Sequence, residues 1–135
     1  MNCSLHWKRR KFVREVTVLQ QCSHPNIISF IGLVSAVDDY EKVEGMLIEY
    51  IDHAQTLRNV ESISPDDFEK WTTQVRNAVD YLHNKGLVWR DTKAVNILIR
   101  EDGNVLLIDF GGHTESWVDK ENYEERFPIK VLFHV

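Results

Sequence analysis

Four polar side chains in the second half of the chain have types and spacing that could support chemistry. The segment 88–99, VWRDTKAVNILI, carries the carboxylate of Asp91, the ammonium of Lys93 and the amide of Asn96 within six residues. A second carboxylate, Asp109, follows thirteen residues after Asn96 in the segment DFGG. These groups offer a proton acceptor, a cation and several oxygen acceptors. They can act together only if the surrounding elements bring them to one place.

The elements before this segment are predicted from the apolar pattern. Residues 11–22 form a helix, because its apolar residues recur at helical spacing, and His24-Pro25-Asn26 ends it. The β-rich runs 27–37 and 43–51 are separated by the polar DDYEK and predict an antiparallel strand pair.

A long helix and a hairpin flank the polar segment itself. Ser64 can cap a helix that starts at Pro65 and buries one face, formed by Phe68, Trp71, Val75, Ala78 and Leu82. After the segment, Asp102-Gly103 lies between two apolar runs and predicts a hairpin turn. The loop with Asp91 therefore leads into one arm of a hairpin, and the other arm ends at Asp109.

This arrangement resembles the protein kinase family, whose catalytic loop H-R-D-x-x-x-x-N is followed after a hairpin by D-F-G. The matching positions would coincide by chance on the order of once in 10⁷ starts; they are Arg90, Asp91, Asn96, Asp109, Phe110 and Gly111. The segment DFGGHTESWVD also resembles kinase-like proteins of filamentous fungi. The resemblance covers about residues 11–118.

The resemblance implies ATP and Mg²⁺ as cofactors, and it assigns roles to the four polar residues. Asp91 is expected to accept or orient the substrate hydroxyl proton, and Lys93 to face the γ-phosphate, as in the serine/threonine-directed branch. Asn96 and Asp109 are expected to bind the metal, since their hard oxygen ligands suit Mg²⁺ better than zinc or copper.

The resemblance extends to residues upstream of the catalytic loop. Glu15 lies where the family has the glutamate that pairs with a strand lysine. The segment LIEYI matches the hinge, so Ile48 corresponds to the gatekeeper and the backbone from Glu49 to Ile51 is expected to bind adenine. Leu98 corresponds to the floor of the adenine pocket. The family's hydrophobic spine corresponds to four further positions, Leu19, Phe30, Trp89 and Phe110.

Composition bounds the remaining possibilities. Sixteen Lys and Arg against twenty-one Asp and Glu give a net charge of −5, which argues against a large nucleic-acid surface. The two cysteines predict neither a disulfide framework nor a zinc site, and no run is apolar enough to span a membrane. We expect an intracellular, cytoplasmic protein whose partners are a protein substrate or a regulatory protein.

The implied fold is α+β, a partial bilobal kinase-like fold. Residues 1–51 are expected to form part of the N-lobe and residues 52–135 part of the C-lobe. A glycine-rich loop and a strand lysine are not found before Glu15, and we expect a chain truncated at both ends. Lys8 and Lys11 share the helix of Glu15 and are not expected to replace that lysine across the cleft. The apolar face of 68–82, which the family covers with later helices, is expected to be exposed.

Three functions remain open. The first is ATP-dependent phosphotransfer to serine or threonine hydroxyls of proteins. The second is a pseudokinase-like module that regulates or scaffolds a partner without turnover, which the missing lysine and glycine-rich loop favour. The third, a small-molecule phosphotransferase of related fold, is disfavoured because such proteins tend to have glycine before the catalytic aspartate, where this chain has Arg90.

Overall fold

The computed structural model describes the backbone of residues 3–110 and the side chains of residues 10–110. Helix and sheet are mixed along the chain, as an α+β fold requires. In order they are α1 (Cys3–Leu19), β1 (Phe30–Ala36), β2 (Asp39–Ile48), β3 (Gln55–Thr56), α2 (Pro65–Asn84), β4 (Ile97–Ile99) and β5 (Val105–Leu107). The glycines of DFGG and the predicted activation segment lie outside the described residues.

Helix α1 ends earlier than the sequence suggests. We predicted a helix over residues 11–22, but it spans Cys3–Leu19, so it also begins eight residues earlier than predicted. The amide of Gln21 bonds to the carbonyl of Val18, and that of Cys22 to Leu19, at 3.1 Å each. These bonds join residues three apart instead of four, and they end the helix before the proline. The inner face of the helix is buried at Val18 and Leu19.

Strands β1 and β2 form the predicted antiparallel pair, with Phe30 opposite Ile48 and Leu33 opposite Met46. The polar segment 38–42 was predicted as the connection, and this is wrong for most of it, because β2 already begins at Asp39. The first six residues of β2 are all exposed. A strand in contact with solvent on both faces can hold polar side chains, so polarity alone did not mark the turn.

The second sheet has the strand order β3-β4-β5, and both pairs are antiparallel. The hairpin of β4 and β5 pairs Ile97 with Leu107 and Ile99 with Val105. Its turn is at the predicted place, and Gly103 has φ of +87°, a conformation that glycine adopts without strain. The two-residue strand β3 was not predicted, because two residues show no periodicity.

Helix α2 confirms the predicted long helix. The hydroxyl oxygen of Ser64 accepts a hydrogen bond from the amide of Asp67 at 3.1 Å, and Gly86 follows the helix with φ of +75°. The expectation that its apolar face is exposed is wrong, because the face packs on β4 and β5. Only Phe68 is half exposed, whereas the remaining apolar positions are buried, namely Trp71, Val75, Ala78, Val79 and Leu82.

One hydrophobic core joins these elements. The segment after α1 runs beside β5, where Leu107 donates to the carbonyl of Asn26 at 2.8 Å and Ile28 donates to the carbonyl of Leu107 at 3.2 Å. The core thus contains residues from both sides of the predicted lobe boundary at residue 51. That boundary stays a prediction. Within residues 3–110 no helix is both long enough and apolar enough to cross a membrane.

Candidate functional site

A cavity of 610 Å³ lies between α1, the end of β2, β4 and the residues after β5. Its volume falls in the range of about 300–1,000 Å³ that is usual for small-molecule sites. All five residues predicted to bind the cofactor line it, together with one predicted metal ligand; they are Glu15, Ile48, Glu49, Ile51, Leu98 and Asp109. These side chains come from four separate parts of the chain. The fold brings them together, while their individual roles stay predictions.

Two carboxylates define the polar part of the cavity. Burial raises the pKa of Glu15, and the negative charge of Asp109 raises it further. Lys11 and a hydrogen bond from the backbone of Phe110 act in the opposite direction. Glu15 and Asp109 are therefore close enough to repel, and their repulsion is offset by a cation on the same helix as Glu15.

Asp109 has an unusual backbone and an unusual oxygen. Its φ is +62°, in the left-handed region that a residue with a Cβ seldom adopts. Its Oδ1 atom is buried and accepts no hydrogen bond within the described part of the chain. The next residue, Phe110, is fully buried. The anchored Phe110 ring can hold a conformation of this kind, which is found mainly at functional positions.

Lys11 is a site residue that sequence reasoning missed. Its Nζ lies 3.6 Å from Oδ1 of Asp109, and it also lines the cavity. Lys11 reaches Asp109 because α1 lies beside it, while the expectation that Lys11 does not replace the strand lysine stays a prediction. Lys11 precedes Glu15 by four residues, so both lie on one helix face. This four-residue spacing was the only feature of the sequence that indicated a role for Lys11 beside Glu15.

Glu49 fixes the chain where it leaves β2. Its amide donates to the carbonyl of Ser29 at 3.0 Å, and its carboxylate accepts from the amide of Ser29 at 3.0 Å. The other carboxylate oxygen forms an ion pair with Arg100 at 3.1 Å. The cavity wall at the predicted hinge is thus tied both to the start of β1 and to the β4–β5 hairpin.

The loop with Asp91, Lys93 and Asn96 does not itself line the cavity but is joined to it through Ile108, and the loop is held by its own polar groups. Asp91 is buried, and its Oδ1 lies 3.3 Å from Nζ of the exposed Lys93. The side-chain amide of Asn96 donates to the backbone carbonyl of Asp91 at 2.9 Å. The backbone carbonyl of Asn96 in turn accepts from the amide of Ile108 at 3.0 Å. The residue before Asp109 is therefore bonded directly to the loop that carries the other three polar residues.

Trp89 is a core residue, as predicted. It is fully buried, and its indole N–H donates to the carbonyl of Ile108 at 2.9 Å. The other positions matched to the hydrophobic spine belong to the same core, with Leu19 and Phe110 buried and Phe30 partly buried.

The available oxygen atoms fit a hard divalent cation. Asp109 Oδ1 lacks a hydrogen-bond donor, and the amide nitrogen of Asn96 is already engaged, which leaves its oxygen as an acceptor. Among the side chains of residues 10–110, no group of three His, Cys, Asp or Glu could hold a metal. Carboxylate and amide oxygens suit an ion that completes its coordination with water and phosphate oxygens.

Comparison with known proteins identifies the family. The protein kinase domain model matches residues 3–127. A probable casein kinase II subunit alpha homolog of Encephalitozoon cuniculi is 30% identical over 119 residues, which are 88% of this chain and 37% of that protein. The serine/threonine-protein kinase kin-29 of Caenorhabditis briggsae is 36% identical over 107 residues, 75% of this chain and 12% of that protein.

A bacterial relative gives the same result. The probable serine/threonine-protein kinase PknB of Bifidobacterium longum is 36% identical over 110 residues, 75% of this chain and 16% of that protein. The chain thus spans between 12% and 37% of the length of these three relatives. With its mixed helices and antiparallel sheets, the chain belongs to the protein kinase domain family.

Proposed function

We propose that this chain takes part in ATP-dependent phosphotransfer to serine or threonine hydroxyls of a protein substrate. The observation that carries the proposal is the single cavity lined by the predicted cofactor-binding residues and Asp109. Relatives named as serine/threonine-protein kinases support the choice of hydroxyl acceptor. We extend the same proposal, phosphotransfer to serine or threonine, to the longer proteins that contain domains of this kind.

The apolar wall of the cavity would receive the adenine ring. Ile48, Ile51 and Leu98 present aliphatic carbon to the cavity. An aromatic base gains from leaving water for such a surface, and the backbone from Glu49 to Ile51 would supply polar contacts at its edge. The ties from Glu49 to Ser29 and Arg100 would keep this backbone in place before the ligand arrives.

The polar end of the cavity would receive the phosphates and the metal. Asp109 and Asn96 are the residues that would hold Mg²⁺, which when bound neutralises charge on the phosphate oxygens. Glu15 would remain beside this site and orient the cation of Lys11. Asn96 would also keep Asp91 near the metal ligands, since its amide already holds the carbonyl of Asp91.

The loop beside the cavity would act on the acceptor hydroxyl. Asp91 would accept the hydroxyl proton as the oxygen attacks the terminal phosphorus, and the bond from that phosphorus to the bridging oxygen would break, so that ADP leaves with the electron pair. Lys93 would place its ammonium between this carboxylate and the transferred group, where negative charge develops. The 3.3 Å separation of Lys93 from Asp91 and the exposure of Lys93 support a side chain that can turn toward a phosphate.

A pseudokinase-like regulatory or scaffolding module is the second candidate. The observation in its favour is the contact of Lys11 with Asp109, because a cation there competes with a metal. Such a module would bind nucleotide without needing Mg²⁺ and would not turn it over.

Calorimetry of the 135-residue chain tests the proposal. ATP is titrated with and without Mg²⁺ into the wild type, into Asp109→Asn and into the control Asp80→Asn, an isosteric change on the exposed face of α2. We expect Mg²⁺-dependent binding that is lost in Asp109→Asn and kept in Asp80→Asn, because Asp109 lines the cavity and Asp80 does not.

The other outcomes separate the candidates. Binding that is indifferent to Mg²⁺ and to Asp109 would favour the module without turnover. The absence of any binding by a folded wild-type chain would refute ATP-dependent transfer by this chain. Where binding is seen, transfer of labelled phosphate to a mixed serine and threonine peptide library then tests the reaction itself, with Asp91→Asn as the variant expected to lose it.

A further inference from the structure

Lys11 lies in the cavity wall, and the proposed reaction assigns it no ligand. Its side chain is about one-third exposed, at 32%, and lines the cavity from α1. Among the described residues that line this cavity, Lys11 is the only cation. A nucleotide in the cavity would bring several negative charges, so the one cation in its wall must matter for how the phosphates lie.

The contact between Lys11 and Asp109 is of a kind that a metal ion can displace. At 3.6 Å, the distance between Nζ and Oδ1 is longer than that of a charge-assisted hydrogen bond, and Asp109 Oδ1 accepts no hydrogen bond in the described chain. The contact is therefore an electrostatic one, without a hydrogen bond, between a partly exposed ammonium and a buried carboxylate oxygen. A divalent ion on the same carboxylate would outcompete an ammonium, because it carries twice the charge.

Displacement would not send Lys11 out of the site. Its helix is held by the burial of Val18 and Leu19, and Glu15 lies one turn further along on the same face. The flexible four-carbon stem of lysine lets the ammonium swing while its backbone stays in place. Glu15 would then orient the ammonium toward the space beside Asp109, where the phosphates would lie.

We propose that Lys11 is a phosphate-binding residue that exchanges Asp109 for the nucleotide phosphates when the metal binds. This inference rests on the proposed function, since it concerns the same cavity. It adds a residue from helix α1 to the set that positions the nucleotide. It also predicts opposite effects of Lys11 on two ligands: Lys11 should assist nucleotide binding and should oppose binding of a metal alone.

The first experiment compares nucleotides that differ only in their phosphates. Adenosine, ADP and ATP are titrated with Mg²⁺ into the 135-residue wild type, Lys11→Met, Lys11→Arg and the control Arg10→Met. Arg10 is the neighbouring cation on α1, is exposed and does not line the cavity. We expect Lys11→Met to weaken ADP and ATP by about 10- to 100-fold and to leave adenosine unchanged. Lys11→Arg should restore most of the loss, and Arg10→Met should change nothing.

The second experiment measures the metal alone. Mn²⁺, a spectroscopically visible substitute for Mg²⁺, is titrated without nucleotide and followed by electron paramagnetic resonance. We expect Lys11→Met to bind Mn²⁺ several-fold more tightly than the wild type, since the competing ammonium is gone. A merely structural role for Lys11 would weaken both ligands together. Far-ultraviolet circular dichroism of the variants checks that the helices are intact.

Each other result overturns the inference in a distinct way. Equal weakening of adenosine and ATP would make Lys11 a structural residue. Unchanged ATP affinity in Lys11→Met, with Mg²⁺-dependent binding in the wild type, would remove the role of Lys11 and leave the proposed function standing. If wild type binds neither adenosine nor ATP, both the proposed function and this inference are refuted.

Discussion

At the scale of single residues, Trp89 joins the loop that carries Asp91 to the strand that leads to Asp109. Its ring is fully buried, and its N–H satisfies the carbonyl of Ile108. Ile108 is partly buried, and a partly buried carbonyl costs free energy when its donor is removed, so the indole has a role beyond filling volume. Where the family pattern has histidine, this chain keeps both a ring and an N–H donor.

Replacing Trp89 with phenylalanine separates these two contributions. Trp89→Phe keeps an aromatic ring but removes the donor and some volume, and we expect it to lower the free energy of unfolding by about 1–3 kcal/mol. The control is Tyr50→Phe, because Tyr50 is 86% exposed, and its effect should stay within about 0.5 kcal/mol. Urea denaturation followed by circular dichroism measures both. Equal midpoints for the two variants would contradict a stabilising bond from Trp89.

The sequence predicted a set of residues that the fold brings to one cavity, whereas it did not predict that Lys11 joins them. Ile48, Leu98 and Asp109 follow a spacing that a family pattern preserves along the chain. The contact of Lys11 depends on how close α1 lies to Asp109, and Lys11 and Asp109 are 98 positions apart in the sequence. Spacing along one helix shows which residues share a face, but it does not show what that face meets.

At the scale of elements, the outer edge of β5 explains how the sheet avoids an unpaired strand. An edge strand leaves backbone groups that must find partners. Two side chains and one neighbouring segment supply them here. Gln74 accepts from the amide of Val105 at 2.9 Å, and the Asn26 side chain donates to the carbonyl of Val105 at 2.9 Å. The backbones of Asn26 and Ile28 complete the edge at Leu107.

Gln74 links α2 to this edge and can be tested alone. Besides accepting from Val105, its amide donates to the side chain of Asn104 at 2.8 Å. Gln74→Ala would leave the buried amide of Val105 without its partner, so we expect a loss of about 1–3 kcal/mol in the free energy of unfolding. Thr73→Ala, on the exposed side of the same helix turn, should be neutral or slightly stabilising because alanine favours helix. A Gln74→Ala midpoint equal to that of Thr73→Ala would show that the edge is satisfied by other means.

Elements with strong local signals were predicted, and those decided by tertiary pairing were not. The cap at Ser64 and the turn at Gly103 are encoded by a few residues that act locally. The start of β2 at Asp39 depends instead on its pairing with Ala36, and β3 depends on its pairing with β4. Such pairing can override the local preference of polar residues for loops.

At the scale of the whole molecule, burial is unevenly divided between the two sheets. Every residue of β5 is buried, whereas β1 and β2 expose several large apolar side chains. We predicted an exposed apolar face on α2, because in the family later helices cover that face. That face packs against β5 instead, and most of the exposed large apolar side chains among residues 10–110 lie on β1 and β2.

This surface predicts where the isolated chain associates with itself. Ile31, Leu33 and Leu47 are 63%, 48% and 52% exposed, and a two-stranded sheet also offers unpaired strand edges. We expect the triple change of these residues to threonine, which keeps β-propensity, to raise the concentration at which association begins by about tenfold. Sedimentation velocity over a concentration series measures this.

Phe68→Gln serves as the control, because Phe68 is 48% exposed and lies on α2. If Phe68→Gln suppresses association as strongly as the triple variant, the surface responsible is on α2 and not on the β1–β2 sheet. A wild-type chain that stays monomeric across the series, with a cooperative thermal transition, would contradict self-association altogether.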